Sequence, residues 1–186
     1  MMKKILAVFV LLFPVFCFAD NPAWQIVPKD SEILFTATQN GAPVAGKFTQ
    51  FKGDIQFDPA QLKTSHVRIV INMASVTTDY ADVANTLKTA DWFNSAVFPE
   101  AIFTASDFTK TGDKLYEAKG SLTIRDKTVP TVLEFKLDEF TPTKARVTGL
   151  AMLKRLSFGV GQGEWQKTDN VKDDVQVQFT IGAIRG

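Results

Sequence analysis

In His66-Val67-Arg68-Ile69-Val70-Ile71-Asn72-Met73 every second residue is apolar. That period of two places Val67, Ile69, Ile71 and Met73 on one face of an extended strand. It recurs at Ile33-Phe35-Ala37, Gly53-Ile55-Phe57, Tyr116-Ala118-Gly120-Leu122-Ile124, Leu133-Phe135-Leu137, Val147-Gly149-Ala151-Leu153 and Val175-Val177-Phe179-Ile181. The other phase is largely polar, as in Glu117-Lys119-Ser121-Thr123-Arg125 and Gln176-Gln178-Thr180, so the sheet has one dry and one wet face. Turn formers separate the runs at Asn40-Gly41, Asp58-Pro59, Thr111-Gly112-Asp113, Asp126-Lys127 and Thr141-Pro142-Thr143, the punctuation of an all-β sandwich or barrel. Seven or eight strands of about 10–13 residues, longer than the common strand, favour a sheet closed on itself over two stacked sheets. One stretch departs from the pattern. Thr78 and Asp79 are N-cap residues, and Tyr80, Val83, Ala84, Leu87 and Ala90 follow at helical spacing, which predicts a short amphipathic helix over 79–90.

A closed sheet of about eight strands is either filled by its own side chains or wide enough for one small ligand. The dry phase mixes Phe35, Phe57, Phe135 and Phe179 with Ala37, Gly53, Ala118, Gly120, Gly149 and Ala151. Small residues leave volume, but they also relieve taper and bend strands, so both outcomes stay open on composition. A cavity with such a lining would hold an acyl or isoprenyl chain, each buried methylene contributing about 0.8 kcal/mol before ordering costs.

The N-terminus reads as a secretory signal peptide over 1–19: basic Lys3-Lys4, an apolar run from Ile5 to Phe18 broken by Pro14, and small-residue spacing at Cys17-Phe18-Ala19. The run is too short for a membrane span, which needs about 20 residues. Phe16 stands where processing at a lipid-modified Cys17 would want a small residue. Cleavage would leave one domain over 20–186, direct it to the periplasm or the exterior, and remove the only cysteine, so the fold must hold by burial without disulfides. It would also take two lysines from 21 basic residues against 20 acidic ones, giving a formal charge of −1. Nothing in that balance attracts nucleic acid.

Catalytic constellations are missing from the sequence. His66 is the only histidine and lies on the polar phase, with no nucleophile motif nearby, and no metal-ligand spacing occurs. Gly159, Gly161 and Gly163 lack the strand before and helix after that a phosphate loop needs, so they read as a turn at the barrel rim. Asp138-Glu139 and Asp173-Asp174 sit in polar turns, where general acid–base work has no buried environment to tune it. The expectation is a binding protein, not an enzyme.

Specific motifs sharpen this. Trp24-Gln25-Ile26-Val27-Pro28-Lys29-Asp30-Ser31-Glu32-Ile33, Gly46-Lys47-Phe48 with Phe57-Asp58-Pro59, Ala74-Ser75-Val76-Thr77-Thr78, Leu87-Lys88-Thr89-Ala90-Asp91-Trp92-Phe93, Phe98-Pro99 with Ile102-Phe103, the run from Gly120 to Pro130, and Phe158-Gly159-Val160-Gly161 occur in order. Over residues 24–184 the chain resembles the YceI-like family of polyisoprenoid-binding, lipocalin-like barrels. The resemblance implies an eight-stranded antiparallel barrel, a helix near its mouth and a lipid threading the interior. The dry-phase residues Phe35, Ile69, Ile71, Phe103, Leu122, Phe135, Leu153 and Phe179, with Phe158, are then expected to line it, while Leu87, Trp92, Phe93 and Phe98 stand either in a hydrophobic plug under the helix or at a mouth that contacts the ligand. The chain also resembles members carrying Gly161-Gln162-Gly163-Glu164-Trp165, some of them joined to or beside b-type cytochromes. That implies an isoprenoid quinone among the cargoes and passing contact with the inner membrane or such a cytochrome. Many members have a His at the end of the first long strand and an Arg-Asp pair in the helix; here Gln39 and Val83-Ala84 replace them, leaving Gln39 to hydrogen-bond a head group. A filled barrel presenting its loops to a partner protein is the competing expectation. Monomer and homodimer are both compatible with the sequence.

Overall fold

The computed structural model describes residues 21–186, so the expected signal peptide and its cut lie outside the described residues. Eleven strand segments form one antiparallel sheet: β1 (Ala23–Ile26), β2 (Glu32–Gln39), β3 (Ala42–Phe48), β4 (Phe51–Gln56), β5 (His66–Asn72), β6 (Val76–Thr78), β7 (Glu100–Gly112), β8 (Leu115–Ile124), β9 (Lys127–Phe140), β10 (Lys144–Lys154) and β11 (Val171–Arg185). The first six are halves of three long bent strands. β1 pairs with β4 and β2 with β3; β4 pairs with β5 and β3 with β6. The breaks are short: a 3-10 turn at Pro28–Asp30, the pair Thr49-Gln50, and a 3-10 turn at Met73–Ser75. Each strand pairs with the next in sequence, and β11 returns to both β1 and β2. The result is the expected closed barrel of eight strands.

Large residues fit over small ones across the rungs. Phe35 pairs with Gly46 and Phe179 with Gly149, and a Cβ on either glycine would run into that ring. These glycines therefore seat aromatics and do not create space. Space remains nonetheless. Inward residues Val67, Ile69, Ile71, Val175, Val177 and Phe179 are only half-buried, although the barrel wall surrounds them, because they border a cavity of about 270 Å³. One end of the barrel is packed shut by Trp24, Phe57, Tyr116 and Leu137, with Phe135 stacked on Tyr116 at 5.4 Å and Phe57 edge-on to both.

The connection from β6 to β7 covers the other end. Its helix, α1, spans Ala81–Leu87, shorter than predicted at both ends. Thr78 stays in β6 and uses its hydroxyl on the Tyr80 carbonyl, while Tyr80 is extended and 73% exposed. After Leu87 the chain folds back, with Phe93 N–H donating to the Leu87 carbonyl and Asn94 N–H to that of Thr89, so Ala90 lies outside the helix.

Candidate functional site

The cavity wall is apolar apart from Thr131 and Arg155. It draws on the inward phase of every strand except β3 and β6 for most of its lining, and Phe48 of β3 completes it. Twelve of the residues singled out from sequence stand in it: Phe35, Ile69, Ile71, Leu87, Trp92, Phe93, Phe103, Leu122, Phe135, Leu153, Phe158 and Phe179. Phe93 reaches it from the covering loop and packs on Phe48 at 5.9 Å, which in turn meets Phe35 at 5.7 Å.

Two expected residues are not in the wall. Gln39 has the inward phase but occupies the last rung of β2, opposite Val171 and next to the Asn40-Gly41 turn, beyond a register shift between Val171 and Val175. Phe98 closes a turn on the Asn94 carbonyl and lies under the Arg125 guanidinium at 5.6 Å. That ring braces the covering loop from outside. Val83 is half-buried and Ala84 buried, neither in the wall.

Arg125 and Arg155 hold the cover in place. From the turn between β8 and β9, Arg125 Nη1 donates to the carbonyls of Ala90 at 2.9 Å and Trp92 at 2.5 Å. Arg155, 4% exposed, donates Nε to the Lys172 carbonyl, Nη1 to Val160, and Nη2 to Trp165 and Val171, all within 3.0 Å. Its planar fork thus ties the loop between β10 and β11 to the start of β11. Burial pushes its pKa down from the ordinary value and Asp173 pulls the other way. With four of its five N–H donors committed to carbonyls, Arg155 acts as a strut. Gly161 lets the strut in: its φ is +87°, and a Cβ would collide with the guanidinium. The two loops are joined where Gly161 and Gln162 N–H donate to the Asp91 carbonyl at 2.8 and 2.7 Å, and where Trp92 meets Trp165 at 5.5 Å.

One polar atom stands apart. Trp92 is 8% exposed, lines the cavity, and its Nε1–H is a buried donor with no partner. Among the described residues no group of three or more His, Cys, Asp or Glu is placed to hold a metal. The architecture is that of a closed β-barrel with a hollow, apolar interior under a two-loop cover.

Residues 24–183 match the YceI-like domain model, and the chain belongs to that family. It is 38% identical over 92 residues to the YceI protein of Escherichia coli O157:H7, a match covering 50% of this chain and 48% of that protein. The matched stretch therefore spans about half the length of the curated relatives, and the Salmonella arizonae YceI protein matches to the same extent. Among solved structures, Burkholderia cenocepacia BcnA superposes with a TM-score of 0.80 at 27% identity over 84% of this chain and 98% of its own. A polyisoprenoid binding domain from Saccharophagus degradans, implicated in plant cell wall breakdown, shares the fold with a TM-score of 0.69 at 12% identity, over 89% of this chain and 100% of its own.

Proposed function

We propose that this protein is an exported carrier or reservoir that holds one long isoprenoid, or a similar amphiphile, inside its barrel and does no chemistry on it. The apolar, incompletely filled interior carries the reading. A polar ligand would lose its water there without replacement hydrogen bonds, whereas each methylene of an apolar chain gains about 0.8 kcal/mol. The hollow also favours a ligand over the competing role of a filled interaction module. The polyisoprenoid named for the Saccharophagus degradans relative fits such an interior. Thr131 and Arg155, the polar residues of the wall, supply no nucleophile–base pair, which supports a binding role.

The polar end of the ligand lies by Trp92, not Gln39. An unpartnered buried N–H costs about 1–3 kcal/mol, and a ligand oxygen would accept from it. The carbonyl of an isoprenoid quinone or the oxygen of a polyprenol suits that donor. Export would put the protein in the periplasm, where such cargo is met at the inner membrane or beside a b-type cytochrome.

Titrating delipidated protein with a long polyprenol, an isoprenoid quinone and squalene tests this. One molecule of each should bind per chain. Trp92→Phe should weaken the two oxygenated ligands about 5–10-fold, the worth of one hydrogen bond, and leave squalene unchanged. Saturable binding of none of the three would end the proposal.

A further inference from the structure

The wall has a seam. The ladder between β9 and β10 stops at Leu150 opposite Glu134, so residues 127–133 of β9 pair with β8 alone and residues 151–154 of β10 with β11 alone. Continued, the register would set Val132 opposite Met152 and Pro130 opposite Lys154. Pro130 marks the edge, since proline is found in sheets at edges and bulges. An outer groove follows the unpaired stretch, lined by Val129, Pro130, Val132, Glu134, Leu150 and Met152 among others. Thr131, Ala151, Leu153 and Phe158 line both this groove and the inner cavity. The 3-10 turn Arg155–Phe158 packs against β9 here, and the side chains shared by groove and cavity separate the interior from the outside with no hydrogen bond between β9 and β10 across the gap.

The outer lip is more apolar beside the unpaired stretch. Along the paired half, the outward residues of β9 and β10 are Glu134, Lys136, Asp138, Lys144, Arg146 and Thr148; from the last rung at Leu150 onward, Leu150, Val132 and Met152 are exposed by 38%, 45% and 58%, with Thr128 and Lys154 at the far end of the seam. Exposed apolar side chains in contact with water are unfavourable, and their clustering at this unzipped joint gives an apolar chain a surface to cross. The barrel ends offer no comparable path: one is filled by the aromatic cluster around Phe57, and the other lies under the loops tied by Arg125 and Arg155.

We propose that the seam between β9 and β10 is a side portal through which the apolar chain enters and leaves, without breaking the barrel's hydrogen-bonded ladder. The inference rests on the proposed function. Its test uses Val132→Cys with Met152→Cys, joined by a flexible bis-methanethiosulfonate linker whose disulfides form with loss of sulfinate and are cleaved by reduction; no other cysteine occurs among the described residues. Isoprenoid quinone is delivered from phosphatidylcholine vesicles, and uptake is followed by quenching of tryptophan fluorescence. The linked protein should take up and release quinone at least tenfold more slowly than the same protein after reduction, with its equilibrium affinity unchanged. Equal rates at equal affinity would overturn the portal and leave the function standing. Failure of the reduced and wild-type proteins to bind quinone, polyprenol or squalene would overturn the function and the portal with it.

Discussion

Val177→Trp is expected to lower affinity for a long isoprenoid on the order of 100-fold while the barrel keeps its stability. Val177 points into the hollow from the middle of β11 and is half-exposed to it, so an indole there fills empty volume without displacing packed neighbours. Excluding three or four methylenes at about 0.8 kcal/mol each removes roughly 2.4–3.2 kcal/mol of binding. The neighbouring Gln178 faces the opposite way and is exposed, so Gln178→Trp should leave affinity within twofold. Isothermal titration with a polyprenol, paired with thermal melts, reads both quantities. Unchanged affinity in Val177→Trp would place the ligand outside the barrel.

Arg155→Met is expected to cost about 3–5 kcal/mol of folding stability, or a fall in Tm of roughly 6–20 °C for a domain of this size. The carbonyls of Val160, Trp165, Val171 and Lys172 would lose their shared donor inside the protein, each unpaired group costing about 1–3 kcal/mol with part recovered from water. Arg155→Lys should recover little, because an ammonium offers three donors from a point where the guanidinium spreads a planar fork. Urea unfolding measures the loss. A change below about 1 kcal/mol would mean that the loop is held chiefly by other contacts, such as the Trp92–Trp165 packing.

The barrel and most of its wall were legible because the alternation is strict where a face must stay dry: Val67-Ile69-Ile71 and Val175-Val177-Phe179 both appear in the cavity as read. β7 was harder to see, since its buried phase begins Ala101-Phe103-Ala105 and small residues give weak contrast. Of the cover, the helix with Leu87, Trp92 and Phe93 was expected, but the arginines that tie it down were not. Arg155 continues the inward phase of Gly149-Ala151-Leu153, a charge on a dry face that was a readable warning, but its partners are backbone carbonyls, which leave no trace in side-chain chemistry. Gln39 shows the converse. Its phase is inward, but it sits past a register shift and beside the Asn40-Gly41 turn, and period counts sides of a strand without showing where its pairing breaks. The seam left a faint mark as well: Val132-Leu133 and Leu150-Ala151-Met152-Leu153 are apolar on both phases, where a strand with one wet face should alternate.

Native mass spectrometry of the protein purified without detergent bears most directly on the central claim. The account predicts one adduct per chain, removed by organic extraction, with the composition of a polyisoprenoid or isoprenoid quinone, and regained when the stripped protein meets vesicles carrying that lipid. A protein that is uniformly ligand-free as isolated, and stays so after incubation with polyprenol and quinone vesicles, would contradict it.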